Sequence, residues 1–277
     1  MRIHHGLKLK RIALGVQYDG SPWNGYQKQL DRHTVQDQLE IALAKFARID
    51  VATTCAGRTD TGVHALEQVV HFDTELTRDV QSWVRGVNTF LPDSIAVRWA
   101  TEVATPSDPL LEFHARFSAR ARTYHYVLYN HPVRSPLLAG KAGWTFRPLD
   151  IERMREGAAH LIGQHDFTAF RSSQCQAKSP VKDMQEIRIE RFGDAFVFTL
   201  RANAFLHHMV RNLVGSLIYV GNGRQEPAWI GQLLRARDRH EAAPTFMPDG
   251  LYLARIDYDP KWGLPQEEGK LLPWFAL

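Results

Sequence analysis

The sequence predicts an α+β protein, and three observations carry that prediction. Short stretches alternate apolar and polar residues with the period of two that suits a half-buried strand. Between them lie stretches whose apolar residues recur every three or four positions, the stripe of an amphipathic helix. The order of these stretches also occurs twice along the 277 residues, which suits two small helix-backed sheets better than an all-α or all-β protein.

In the first half, Ile12, Leu14, Val16 and Tyr18 alternate as a strand that ends at the turn pair Asp19 and Gly20. Thr34 opens a helix, with Asp37 three residues on as its partner in a capping box. Val35, Leu39, Ala42, Leu43 and Phe46 fall on one face of that helix. A strand over residues 68–72 follows, then a helix carrying Trp83, Val84, Val87, Phe90 and Leu91 as core, then a strand over 95–99. In the second half, Tyr124, Tyr126 and Leu128 alternate as a strand, and Met154, Ala158, Leu161 and Ile162 mark a helix. Strands fall near 187–189 and 196–200, and Met209, Val210, Leu213, Val214, Leu217 and Ile218 make a helical stripe. A short helix at 229–234 and a strand at 251–256 close the pattern. These elements imply two tandem, related α+β units, ferredoxin-like or RRM-like, with a pseudo-two-fold relation and a cleft between them where a site takes residues from both. The expected division is residues 7–108, 109–262 and a tail at 263–277, with the boundary in the polar stretch 104–109.

Composition narrows the classes. With 44% hydrophobic and 23% charged residues, the chain is not that of a disordered protein. The 34 Lys and Arg against 30 Asp and Glu give a net charge of +4, a weak pointer to a polyanionic partner. Cys55 and Cys175 form no CxxC pair, which leaves a zinc ribbon, a redox dithiol and a disulfide framework without support. The opening residues lack an apolar core of signal-peptide length, and no stretch is long enough to span a bilayer, so a cytoplasmic protein with no membrane partner is expected. Glycine-rich nucleotide loops are absent from the sequence, so no small-molecule cofactor is expected. His207 and His208, with His64 and Asp73, invite a metal reading. Adjacent histidines on a helix face different ways, however, and no HExxH accompanies them, so no metal is expected; His207 is read instead as shaping the helix face that carries Arg211.

The chemistry concentrates in residues 56–64, AGRTDTGVH, a polar run punctuated by glycine between two apolar strands. Arg58 and Asp60 are two residues apart, so in an extended backbone their side chains point the same way. A cation that close lowers a carboxyl pKa, and an ionised carboxylate is what nucleophilic catalysis by an acid requires. Gly57 and Gly62 would let a substrate backbone approach. A surface turn with an Arg–Asp ion pair accounts for the same residues, and the segment alone does not choose between them. Arg116, Arg120 and Arg122 are interleaved with Phe117, Tyr124 and Tyr126, a mixture suited to phosphate and base, although such runs also serve as solvated faces.

The segment GRTDTGVHA resembles the catalytic motif of the tRNA pseudouridine synthase A (TruA) family, and further stretches follow in that family's order. They include YDG at 18–20, GYQ at 25–27, QVVHFDT at 68–74, GVNTFLP at 86–92 and FHARFSARARTYHY at 113–126. DFTAFR at 166–171, NAFLHHMVRNLVGSL at 203–217 and GLYL at 250–253 continue the resemblance through the second half. Tyr26 stands where the family more often has Trp, and Thr61 where Ala or Ser is frequent. The resemblance implies a cofactor-independent homodimeric isomerase that converts uridine to pseudouridine in the anticodon stem-loop of tRNA, at positions 38, 39 and 40. It implies Asp60 as nucleophile, Tyr124 as the aromatic stacked on the target base, and Arg211 as the cation paired with the catalytic acid. Arg58 would fill the space of the flipped-out base and contact phosphate. Leu253, or else Leu251, would give the apolar contact to the base, and His207 would also line the substrate site. Two rival classes remain: an inert RNA-binding module, which has no use for a paired Arg58 and Asp60, and a glycosidase, for which the local pattern marks no second acid.

Overall fold

The computed structural model describes residues 9–103 and 112–265. They form two compact units: residues 9–120 with 256–265, and residues 121–255. The expected boundary stretch at 104–109 and most of the expected tail lie outside the described residues.

The first unit runs β1 (Lys10–Tyr18), α1 (Val35–Ala47), β2 (Thr54–Cys55), β3 (His64–Thr74), α2 (Val80–Asn88) and β4 (Ile95–Val103). Its strands lie in the order β4, β1, β3, β2, and every neighbouring pair is antiparallel. That is the ferredoxin-like βαββαβ arrangement, in which each helix returns the chain over one strand. Thr34 caps α1, its hydroxyl oxygen accepting the Asp37 N–H at 3.2 Å and donating to the Asp37 carboxylate at 2.6 Å. The cap is thus a local loop between the two side chains and the start of the helix. Helix α1 sets Phe46 edge-on against Trp83 of α2, and Trp83 lies edge-on to Phe72 of β3. Helix α2 ends at Asn88, whose side chain donates to Val97 O and accepts from Val97 N, both at 2.8 Å. The expected stripe therefore overruns the helix: Leu91 is half-buried and Phe90 is 43% exposed, so Phe90 is not core.

The second unit runs β5 (Ala121–Asn130), β6 (Gly143–Thr145), α3 (Ile151–Ala159), β7 (Gly163–Asp166), β8 (Val181–Phe192), β9 (Ala195–Ala202), α4 (Met209–Gly221), α5 (Ala228–Ala236) and β10 (Leu251–Asp257). Its strands lie in the order β10, β5, β9, β8, β7, and β6 pairs with β5. With β5, β8, β9 and β10 as its four main strands, the order repeats that of the first unit. Asp150 caps α3, accepting the N–H groups of Glu152 and Arg153. The helix stops at Ala159 because the chain turns through Gly163, whose φ of +97° favours glycine, to start β7. Leu161 is buried beyond the helix end, while Ile162 is exposed. Helix α4 is the centre of this unit, with eleven of its thirteen residues buried.

The fold is α+β, as the alternating patterns predict, with mostly antiparallel pairing and five α-helices among the described residues. Strands β2, β6 and β7 are absent from the sequence-based expectation, each being too short to show a period of two. Neither cysteine forms a disulfide. No helix among the described residues is long and apolar enough to cross a membrane.

Candidate active site

In the first unit, residues 56–63 join β2 to β3, and the surrounding backbone fixes their path. Ala56 N–H bonds Val69 O at 2.8 Å, and the Gln68 side chain spans Gly57, accepting its N–H and donating to its carbonyl. Thr59 is buried between its neighbours. Its hydroxyl shares a 2.7 Å hydrogen bond with Tyr18 Oη, and its carbonyl accepts the Tyr26 N–H at 3.0 Å. Asp60 O then accepts the Val63 N–H at 3.1 Å, closing a turn whose third residue is Gly62 with φ +78°. A type II turn demands a positive φ at that position. With Thr59 turned inward, Arg58 is exposed and Asp60 is half-buried.

Two glycines outside the loop decide how closely it packs. A Cβ on Gly25, where φ is +84°, would lie 2.8 Å from Thr59 O. One on Gly20 would lie 2.0 Å from Val63 O. The segments YDG and GYQ are therefore the bed on which the Asp60 loop rests. Nothing in the loop's own sequence marks Tyr18, Gly20, Gly25 and Tyr26 as its supports. Gly57 has open space where a Cβ would be, in keeping with room beside the loop. Cys55, just before the loop, is an inert thiol: burial pushes its pKa up to about 11, against the opposing pull of Arg58 and Arg116.

In the second unit, β5 presents Tyr124 opposite Leu200 of β9, and the Tyr124 ring meets Phe205 edge-on at 5.0 Å. Phe205 belongs to the connection from β9 to α4, which also carries His207 and His208. His207 is held by two backbone bonds, one from its N–H to Cys175 Sγ and one from Ser172 N–H to its carbonyl. His208 caps α4 in the left-handed region, φ +62°. His207 consequently precedes the helix rather than shaping its face, which corrects the expectation drawn from its four-residue spacing to Arg211.

Arg211 lies in the first turn of α4, and its Nε donates to Phe246 O at 2.8 Å. Phe246 N–H returns a bond to Arg211 O at 3.4 Å. Beside it, Asn212 is wholly buried and held by three side-chain hydrogen bonds. Its amide nitrogen donates to Phe170 O at 2.8 Å, while its oxygen accepts from Thr245 at 2.7 Å and Arg239 at 3.0 Å. A single polar residue inside an apolar stripe gives no sequence signal of the network it holds. Leu253 is fully buried in β10, and Leu251 nearly so. Of the arginine run, Arg120 pairs with Asp259 and Arg122 donates to Asn203 O, so both also have structural duties.

Residues 15–118 and 158–259 match the family model described as tRNA pseudouridine synthase. The chain is 71% identical over 265 residues to tRNA pseudouridine synthase A of Herminiimonas arsenicoxydans, covering 96% of both proteins. It is 59% identical over 266 residues to the protein of the same name from Paraburkholderia phytofirmans, again covering 96% of each. Among solved structures, an unknown protein from Galdieria sulphuraria aligns with 75% of this chain and 88% of its own at 10% identity, with a TM-score of 0.23, and nothing follows from so slight a likeness.

Proposed function

This chain belongs to the tRNA pseudouridine synthase family, and from that premise we propose that it acts on positions 38, 39 and 40 of the tRNA anticodon stem-loop with Asp60 as nucleophile. It is an isomerase of tRNA uridines. The reaction breaks the N1–C1′ bond, turns the uracil and joins C5 to C1′, with only the C5 proton exchanged. No electron is gained or lost, so the chemistry asks for positioning and charge rather than a redox group.

The observation that carries the proposal is the pinned loop. Its backbone is tied at Ala56, Gly57 and Thr59, while the carboxylate of the next residue remains half-buried. A nucleophile held that way pays little further ordering cost when substrate arrives. Attack at C1′, addition at C6 and abstraction of the 2′ proton all require Asp60 ionised, and Arg211 of the second unit is proposed as the cation that favours that form. Arg211 suits the task because Phe246 O fixes its Nε and thereby the plane of its guanidinium. The base must leave the RNA stack at a cost of a few kcal/mol, part of which stacking on Tyr124 returns. Tyr124 also serves in proton transfer, with Leu253 and His207 as further contacts to the substrate. Arg58, exposed beside the nucleophile, is proposed to occupy the space of the flipped base and hold phosphate. The working enzyme is proposed to be a cytoplasmic homodimer that needs no cofactor.

The test is release of tritium from tRNA labelled at uracil C5, in the absence of metal and cofactor. Wild type should release it. Asp60→Asn should lose at least about 10⁴-fold in rate while still binding RNA, the scale seen when a catalytic nucleophile is removed. Wild-type protein that binds several transcripts and releases nothing would sink the proposal.

A further inference from the structure

The first unit contains an exposed aromatic that the proposed chemistry does not use. Phe117 is 76% exposed, yet it is not a loose side chain. Its ring lies 4.3 Å from that of His114 at 32°, and the Arg116 guanidinium lies 5.8 Å from its centroid. The turn beneath is closed at both ends, with Ser118 N–H bonding His114 O at 2.9 Å and His114 N–H bonding Ser118 Oγ at 3.0 Å. His114 Nδ1 accepts the N–H groups of both Arg116 and Phe117, which fixes the imidazole as the neutral support of the stack. Behind it, His71 meets His114 edge-on and accepts the Ala115 N–H at 3.2 Å. Aromatic contacts then continue through Phe113 to Tyr258 and Trp262. Phe117 is the outer end of an aromatic column anchored in the unit's interior.

Such a ring rests against its neighbour and still leaves most of its surface to solvent. Every nucleobase offers a π-face to a platform of this kind whatever its identity, provided the base is unpaired. The position suits the substrate too. Arg116 and Arg58 both pull the Cys55 thiol down, so both bring positive charge to the residue that precedes the Asp60 loop.

We propose that the 114–118 turn is a stacking platform for one unpaired base of the RNA substrate, with Phe117 as its face. The proposal rests on the tRNA reading above for the identity of the RNA, though not for the chemistry. The experiment uses the full-length protein and anticodon stem-loop RNAs carrying 2-aminopurine at successive loop positions, whose fluorescence is quenched on stacking. Wild type should quench at one or two loop positions. Phe117→Ala should lose that quenching and bind about tenfold more weakly. Phe117→Tyr should restore both, and Phe117→Leu, which is apolar but lacks a π-face, should restore neither. Equal binding and quenching by wild type and Phe117→Ala would overturn the platform. So would a sedimentation shift from dimer to monomer in Phe117→Ala, because the ring would then be a contact between copies of the chain. Tritium release by wild type is followed in parallel: quenching without release would leave the platform standing and defeat the synthase reading alone.

Discussion

The first unit joins β2 to β3 through residues 56–63, whereas the second joins β8 to β9 through Gly193 and Asp194 alone. The reverse holds one step later in the chain. Only two of the nine residues of α2 are buried, whereas α4 buries eleven of thirteen and is followed by a further helix, α5. One strand order thus carries two kinds of equipment. The first unit enlarged a hairpin connection into a pinned loop with an acid on it, and the second enlarged a helical connection into a buried scaffold that holds an arginine at its start. A ferredoxin-like sheet places little constraint on its connections, so one strand order can carry differently elaborated connections in each unit.

The comparison is broken most sharply at its glycines. Gly25→Ala forces a Cβ against Thr59 O at a residue with φ +84°, and should shift the Asp60 loop enough to lower turnover about 100-fold. Gly193→Ala strains a left-handed turn that has free space around it, so it should cost about 1 kcal/mol in denaturant unfolding and leave tritium release intact. Equal losses of turnover from both would mean that the first hairpin is not special. Next in size is Asn212→Ala, which strips partners from Phe170 O, Thr245 and Arg239 in the interior of the second unit. A loss of roughly 3 kcal/mol of stability is expected, together with about tenfold slower turnover as the Phe246 carbonyl that orients Arg211 drifts. Asn212→Asp keeps both acceptor bonds and should recover part of the turnover; no recovery would detach Asn212 from Arg211.

The smallest effect concerns a feature the units share. Burial pushes His71 of β3 down to about 4, with Arg11 adding to the shift, and it pushes His125 of β5 to about 4 as well. Both folded values lie below the ordinary 6.5, so the unfolded chain takes up these protons first. The stability due to each neutral imidazole is therefore complete above about pH 6.5 and declines as pH falls toward 4. Each histidine should add a slope approaching 1.4 kcal/mol per pH unit to unfolding free energies measured between pH 5 and 6. His71→Gln should remove one such contribution and leave the other.

Much of the fold was legible because long elements repeat their period several times. The alternation in β1 and the stripes in α1 and α4 each offer four or more matching positions, and β5 offers three. Strands of two to four residues such as β2, β6 and β7 offer too few, and tertiary pairing makes them. Helix ends were overrun at Phe90 and at Ile162 because apolar spacing continued after hydrogen bonding had stopped. In the candidate site, the acid and its neighbouring arginine stood out as a polar run between strands. Their supports did not, since Tyr18 reads as the last residue of a strand and Gly25 as a loop residue until the carbonyl of Thr59 is seen above it. His207 shows the same limit, for a left-handed residue at 208 cancels any inference from helical spacing.

The central claim is that Asp60 performs the isomerisation at one place in tRNA. Its most direct test is carbodiimide treatment followed by primer extension on a tRNA transcript incubated with wild type or Asp60→Asn. The account predicts stops marking pseudouridine at positions 38 to 40 where these are uridine, with wild type only. Stops elsewhere in the molecule, or equal stops from Asp60→Asn, would contradict it.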